Sequence, residues 1–194
     1  MQSLRYIAAW GLVVLACMMP AAWAAAEQYT VDPVHSGVWF RILHLGASYA
    51  YGAFIDLSGN VQFDPKKPES SKIAIIVKTD SVETFNDQRD EHLRSPDFFD
   101  SAQFPEMKFI STSWKPVKDN LYEVAGNLTL RGVTKPITFE AEFVGTGTGK
   151  DGEQRAGFET VFTIKRSDFG MTKYMPPVLS DDVRITVSLE GVKQ

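Results

Sequence analysis

Residues 137–143 read Ile-Thr-Phe-Glu-Ala-Glu-Phe, so that every second side chain in the segment is apolar. Successive side chains of an extended chain point to opposite faces, and the alternation therefore predicts a β-strand with one buried and one exposed face. The same period of two recurs in further segments along the chain. Their apolar positions are Val38, Phe40 and Ile42; Leu57, Gly59, Val61 and Phe63; Ile73, Ile75 and Val77; Tyr122, Val124, Leu128 and Leu130; Ala156, Phe158, Phe162 and Ile164; and Val183, Ile185, Val187 and Leu189.

Residues typical of turns separate these segments, among them Ser58-Gly59-Asn60, Lys118-Asp119-Asn120 and the glycine-rich residues 145–152. Short strands joined by such turns predict an all-β, antiparallel sandwich or barrel. About eight strands form a closed barrel just wide enough to hold one small ligand. The alternation alone leaves open whether side chains fill the interior or surround a cavity.

One stretch, residues 86–99, departs from the strand pattern. Arg89-Asp90-Glu91-His92-Leu93 favours a short helix over about residues 87–95, and Ser95-Pro96 is typical of a helix end. Polar side chains are dense around it. Two interpretations stay open: a solvated helix and loop, or a group of side chains and backbone N–H donors that meet the polar head of a ligand at a barrel mouth.

The first 24 residues have the pattern of a secretory signal peptide. Arg5 supplies positive charge, residues 6–19 are mostly apolar, and Ala22-Trp23-Ala24 provides a small-x-small cleavage site. We therefore expect export to the periplasm and one domain over residues 25–194. Lipid attachment at Cys17 is the alternative that we favour less, because cleavage there would leave an apolar start where a lipoprotein has a polar tether.

The composition argues against several classes of function. The formal net charge is −4, and no run of Lys and Arg offers the concentrated positive charge that nucleic acid requires. Cys17 is the only cysteine, and the three histidines, His35, His44 and His92, do not have zinc-ligand spacing. The chain has no G-x-S-x-G nucleophile motif either. We expect no metal, no cofactor and no catalytic residue.

Several longer motifs are distinctive. They are residues 35–45 (HSGVWFRILHL), 51–54 (YGAF), 81–84 (SVET), 89–99 (RDEHLRSPDFF), 126–136 (GNLTLRGVTKP), 155–159 (RAGFE) and 168–170 (DFG). Together they resemble the YceI-like family of polyisoprenoid-binding periplasmic proteins, and the resemblance covers essentially the whole mature chain.

The resemblance implies a lipocalin-like barrel whose lumen holds a long-chain isoprenoid lipid, such as a polyisoprenoid or ubiquinone, or a fatty-acid derivative. It also implies a homodimer in some members. Residue by residue, it places the ligand-binding lumen at Val38, Phe40, Ile42, Phe63, Phe109, Leu128, Phe139, Phe143, Phe158 and Ile185. It places the contacts with the head group at Asn86, Arg89 and His92.

The chain departs from that family at two places. Residues 145–152 lack the D-P-W-G-G run of many members, and Tyr174-Met175-Pro176-Pro177 occurs in a connecting segment. We expect a binding or carrier protein. Two alternatives stay open: an enzyme acting on a lipid or quinone around His92, and a ligand-free barrel that transiently contacts a membrane or a cytochrome.

Overall fold

The structure is a computed structural model that describes residues 26–194. The predicted signal peptide, with its cleavage site at Ala24 and the alternative lipid attachment at Cys17, lies outside the described residues. No helix within residues 26–194 is long and apolar enough to span a membrane.

Eleven strands and one α-helix make up this part of the chain. The strands are β1 (Glu27–Val31), β2 (Gly37–His44), β3 (Ser48–Phe54), β4 (Leu57–Phe63), β5 (Lys72–Lys78), β6 (Val82–Glu83), β7 (Glu106–Lys118), β8 (Leu121–Leu130), β9 (Val133–Thr148), β10 (Gln154–Lys165) and β11 (Leu179–Lys193). The helix is α1 (Asp87–Arg94), and short 3-10 turns lie at Pro68–Ser70, Thr79–Ser81 and Arg166–Phe169.

The strands form a closed antiparallel barrel. The order runs β1-β4-β5-β7-β8-β9-β10-β11, and β1 pairs with both β4 and β11, which closes the ring. Strand β2 continues along β11 beyond β1, while β3 pairs with β2 and β6 pairs with β3. These three strands thus extend the positions of β1, β4 and β5, and the barrel has eight strand positions. This confirms the predicted lipocalin-like barrel of about eight strands.

The apolar alternation in the sequence matches the inward faces of the strands. Val61, Phe63 and Val124 are among the most deeply buried side chains, with 1, 2 and 0 % of their surface exposed. Full burial of an aliphatic or aromatic side chain contributes about 1.5–3 kcal/mol. The repeated alternation therefore accounts for both the pairing register and the apolar interior.

The turn predicted at Ser58-Gly59-Asn60 is wrong, because these residues lie inside β4. The chain instead leaves the sheet at Ile55 and Asp56. A Cβ atom on Gly59 would lie 2.3 Å from the carbonyl oxygen of Ala74 on β5, so glycine is required there by the close approach of two strands. A glycine inside a strand often marks such a contact rather than a turn.

Helix α1 matches the prediction to within a residue. The Asn86 side chain accepts a hydrogen bond from the backbone N of Arg89 at 2.9 Å and caps the first turn, and Ser95 ends the helix. Leu93 packs against the barrel core. Phe99, just after the helix, meets Phe54 edge-on with ring centroids 5.2 Å apart. The helix is thereby held against the barrel, next to β6.

Candidate ligand-binding cavity

A cavity of about 750 Å³, here called the outer chamber, opens at the end of the barrel beside α1. Its apolar wall includes Phe40, Ile42, Phe54, Leu93, Phe99 and Ile185. The volume falls within the range of about 300–1,000 Å³ that is usual for small-molecule sites. Among the predicted lumen residues, Val38, Phe40, Ile42 and Ile185 line this chamber.

A second cavity of about 110 Å³, here called the inner chamber, lies deeper in the barrel. Phe109, Leu128, Phe139 and Phe158, all predicted lumen residues, line it. The two chambers adjoin, since they share the lining residues Val38, Met107, Leu130, Ile164 and Ile185. The barrel interior therefore contains a larger chamber at the mouth and a smaller, mostly apolar chamber that shares part of its wall.

A cluster of aromatic rings fills the far end of the barrel. Phe63 lies at its centre, with ring centroids 4.9–6.0 Å from those of Phe143, Phe158, Tyr122 and Trp114. The predicted lumen residues Phe63 and Phe143 therefore lie in the interior but line neither chamber. The cluster closes the barrel at this end.

Of the predicted head-group residues, Arg89 and His92 line the outer chamber. The guanidinium of Arg89 donates from Nε to Thr84 Oγ1 at 2.7 Å and from Nη2 to the Thr84 carbonyl at 2.6 Å. Thr84 Oγ1 in turn donates to the buried Asp90 carboxylate. Asn86 lies outside the chamber lining and acts as the helix cap. The structure therefore brings two of the three predicted residues to the mouth.

The His92 ring is oriented by polar and aromatic neighbours. Its Nε2 lies 3.0 Å from Asp97 Oδ2, and its ring meets Phe98 edge-on at 5.0 Å. The hydrogen bond with His92, together with Lys173, lowers the pKa of Asp97. The carboxylate therefore stays ionised near neutral pH and holds the imidazole in place.

Sequence reasoning missed Arg166, a buried arginine in the chamber wall. Its guanidinium donates to the carbonyls of Ser180 at 2.9 Å, Met171 at 2.9 Å, Lys173 at 2.7 Å and Tyr174 at 3.1 Å. Burial lowers the pKa of Arg166. The residue ties the segment after β10 to the start of β11. Its one signal in the sequence is its position just before the Asp168-Phe169-Gly170 motif.

The lining of the outer chamber includes basic side chains and no acidic ones among the described residues. Among residues 26–194 it contains Arg89 and Arg166, together with His44 and His92, and no carboxylate. The whole chain, by contrast, has a net charge of −4. The chamber is therefore suited to a ligand with a long apolar part and a head that accepts hydrogen bonds or carries negative charge.

A second polar group, outside both chambers, joins residues far apart in sequence. Ligand atoms of Asp32, His35 and Glu190 lie within 4.8 Å of one another. Arg155 Nη1 lies 2.7 Å from Asp32 Oδ2 and also contacts Glu190. The hydrogen bonds from His35 and Arg155 lower the pKa of Asp32 to about 2. The guanidinium neutralises the carboxylates, and the group links the loop after β1 to β10 and β11.

The chain resembles known proteins over nearly its whole length. A family model described as the YceI-like domain matches residues 29–191. The proteins called Protein YceI from Salmonella arizonae and Salmonella heidelberg are 42 % identical over 186 residues, which is 95 % of this chain and 96 % of each relative.

Solved structures share the fold. BcnA of Burkholderia cenocepacia has a TM-score of 0.76 at 25 % identity and covers 82 % of this chain and 98 % of its own. The YCEI protein of Campylobacter jejuni has a TM-score of 0.71 at 36 % identity, covering 78 % and 90 %. A polyisoprenoid-binding domain from Saccharophagus degradans has a TM-score of 0.66, covering 86 % and 98 %. At 18 % identity, that last likeness concerns the fold alone.

Proposed function

The chain belongs to the YceI-like family, and on that premise we propose that it binds a long-chain isoprenoid lipid, a polyisoprenoid or an isoprenoid quinone such as ubiquinone, inside its barrel. One observation carries the proposal. The outer and inner chambers share an apolar wall, with Arg89 and His92 at the open end of the barrel and an aromatic cluster at its other end. This arrangement matches an amphiphile that enters tail first.

The apolar tail provides the affinity. Each methylene moved from water into the chambers contributes about 0.8 kcal/mol, so a few isoprene units supply several kcal/mol of gross driving force. The chambers, of about 750 and 110 Å³, have aromatic and aliphatic walls. The ordering of a flexible tail offsets part of this gain.

The polar rim selects the head group. Arg89 and His92 bring N–H groups to the lining of the outer chamber, and that described lining contains no acid that could hold an amine. A quinone carbonyl, a hydroxyl, a phosphate or a carboxylate meets these donors, whereas an ammonium head meets like charge. We assign the predicted role of Asn86 to capping α1 and thereby positioning Arg89.

Binding without turnover is the function we propose, and it contrasts with the alternative of an enzyme at His92. The hydrogen bond between His92 and Asp97 is the observation behind that alternative, because a carboxylate can orient a histidine that acts as a general base. A carrier returns its lipid unchanged, and an enzyme returns a product.

We also propose that the protein is exported to the periplasm after cleavage near Ala24. Residues 1–24 carry the charge and apolar run of a signal peptide. N-terminal sequencing of protein from the periplasmic fraction should begin just after Ala24. A lipid-modified Cys17 as the first residue would instead make the protein a lipoprotein.

The central experiment is to purify the protein from the cells that make it, extract it with organic solvent and identify the extract by mass spectrometry. We expect about one isoprenoid lipid per chain. Delipidated protein should then recover the same lipid from a mixture of polyprenol, quinone and phospholipid. An empty lumen in both steps would refute binding, and a chemically altered lipid would favour the enzyme.

A further inference from the structure

Three large apolar side chains near the cavity mouth point into solvent. Leu45, Phe85 and Tyr174 are 60, 93 and 49 % exposed. All three have left-handed backbone conformations, with φ of +53°, +61° and +50°. Such angles are uncommon for bulky residues, and strained residues of this kind concentrate at functional sites. The fold therefore retains an unfavourable backbone conformation at each of three exposed apolar positions.

Hydrogen bonds hold the three turns in place. Leu45 N donates to the Val178 carbonyl at 2.8 Å, and Phe85 N donates to Glu83 Oε1. The Tyr174 carbonyl accepts from Leu179 N at 3.0 Å and from Arg166 Nη2 at 3.1 Å. The backbone of each of the three residues is thereby anchored by at least one hydrogen bond.

These turns come from distant parts of the chain and surround one opening. Phe85 and Tyr174 line the outer chamber, and Leu45 is hydrogen-bonded to Val178, which also lines it. Lys173 adds a cation beside the Tyr174 ring, 5.2 Å from its centroid. We call Leu45, Phe85 and Tyr174 the mouth rim.

We propose that the mouth rim docks on the surface of a lipid bilayer, so that the outer chamber opens directly onto the membrane. Exposed apolar side chains gain free energy when they enter the boundary between head groups and acyl chains, and tyrosine favours that interface. The proposal rests on the proposed function, because a lipid ligand could then pass from bilayer to chamber without crossing water.

A bilayer fits this rim better than a protein partner does. The three side chains protrude separately from three turns, with the chamber opening between them. A fluid lipid surface accommodates separate protrusions, whereas a stable protein interface requires a complementary packed surface. Lys173, at the same end, is paired with Asp97 at 3.1 Å, so the docking rests on the apolar side chains of the mouth rim.

The test is co-sedimentation with vesicles of phosphatidylcholine containing a minor share of phosphatidylglycerol. The variant Leu45→Ser/Phe85→Ser/Tyr174→Ser should bind at least tenfold less than wild type. The matched control is Val117→Ser/Val144→Ser, which removes two side chains that are 50 and 62 % exposed on β7 and β9. The control should bind like wild type. Equal binding by all three proteins, or an equal loss in both variants, would overturn the proposal.

Two further readouts separate the docking surface from the ligand site and from self-association. Leu45→Ser, outside the chamber lining, should weaken vesicle binding yet keep wild-type affinity for a water-soluble short-chain ubiquinone analogue. If wild type docks on vesicles but never binds the isoprenoid, the proposed function fails and the docking proposal stands. If light scattering shows a wild-type dimer that the rim substitutions dissociate, the rim is a dimer interface and the docking proposal fails.

Discussion

The rings of Phe139 and Phe162 stack with their centroids 4.9 Å apart and their planes inclined by 15°, where the ladder between β9 and β10 has ended. The last paired residues are Ala141 and Thr160, and Thr160 Oγ1 donates to the Glu140 carbonyl at 2.6 Å. Both rings line the inner chamber. Side-chain stacking thus replaces backbone pairing in this part of the barrel wall.

Removing one of these rings should lengthen the accepted tail. Phe162→Ala takes away a half-buried ring from the inner chamber, and we expect a loss of stability of about 2–4 kcal/mol, below the usual maximum for a fully buried phenylalanine. Competition between polyprenols of different length should then shift towards longer chains. The control is Val161→Ala at the exposed neighbouring position. An unchanged length preference would show that the ring does not limit the tail.

A charge in the inner chamber should abolish lipid binding. Phe139→Asp or Phe158→Asp places a carboxylate in the apolar wall, where an unpaired charge costs several kcal/mol. Mass spectrometry of the folded variants should find no bound lipid. The control variant Thr138→Asp, at an exposed position of β9 next to Phe139, should retain the bound lipid. Wild-type lipid content in a folded Phe139→Asp protein would place the ligand elsewhere.

The head-group role of Arg89 and His92 can be separated from binding of the tail. Arg89→Ala and His92→Ala should each weaken binding of a lipid with a polar head by about 1–3 kcal/mol, the cost of losing a charged or buried hydrogen-bond partner. The matching hydrocarbon without the head should bind all three proteins alike. Titrations followed by Trp114 fluorescence, in a Trp39→Phe background, measure both affinities, because Trp114 lines the inner chamber.

Two results would contradict this assignment. Equal weakening for the headed and headless lipids would mean that the substitutions act through structure, for example through the Arg89 contacts with Thr84. Product formed by wild type, and lost in His92→Ala while the substrate still binds, would instead identify His92 as catalytic.

Arg166 should be essential for stability. Arg166→Met leaves the buried Met171 carbonyl and the half-buried carbonyls of Ser180 and Lys173 without this donor, and we expect a loss of about 3–5 kcal/mol in the free energy of unfolding by urea. Arg166→Lys should rescue little, because a single ammonium cannot span carbonyls on both sides of the guanidinium. Arg184→Lys, at an exposed position of β11, is the control and should behave like wild type. A stable Arg166→Met protein would refute this role.

The group around Asp32 should make stability depend on pH in acid. Because His35 and Arg155 lower the folded-state pKa of Asp32 to about 2, its contribution is complete above the unfolded pKa of about 4 and disappears as pH falls towards 2. Asp32→Asn should therefore be less stable than wild type at pH 6, and the difference should shrink between about pH 4 and 2. Thermal unfolding across this range measures it. A constant difference would argue against the ionised carboxylate as the cause.

Sequence patterns predicted the barrel because strand burial is a local property. Alternation in residues such as Ile137, Phe139 and Ala141 reports which face of a strand is buried, whatever its neighbours are. The turn predicted at Gly59 is wrong because that prediction also used local sequence alone. The role of Gly59 depends on the backbone of β5 2.3 Å from where a Cβ would lie, and no pattern within β4 records that contact.

The sequence likewise predicted only part of the candidate site. The motif in residues 89–99 indicated the helix and the polar residues Arg89 and His92, which the structure brings to the chamber mouth. Arg166 escaped notice because its partners are backbone carbonyls, which every sequence contains. The polar group of Asp32, Arg155 and Glu190 joins three segments that only barrel closure brings together.

The sequence by itself determined seven of the eleven strands within residues 26–194, which of their faces is apolar and where the helix interrupts them, because these follow from side-chain periodicity and local capping. Only the tertiary structure decided that the apolar faces enclose an outer and an inner chamber, that Phe63 and Phe143 close the far end and that three exposed side chains surround the mouth. The physical reason is that cavity volume and rim geometry depend on how strands tilt and close around the axis, and on which distant side chains then meet.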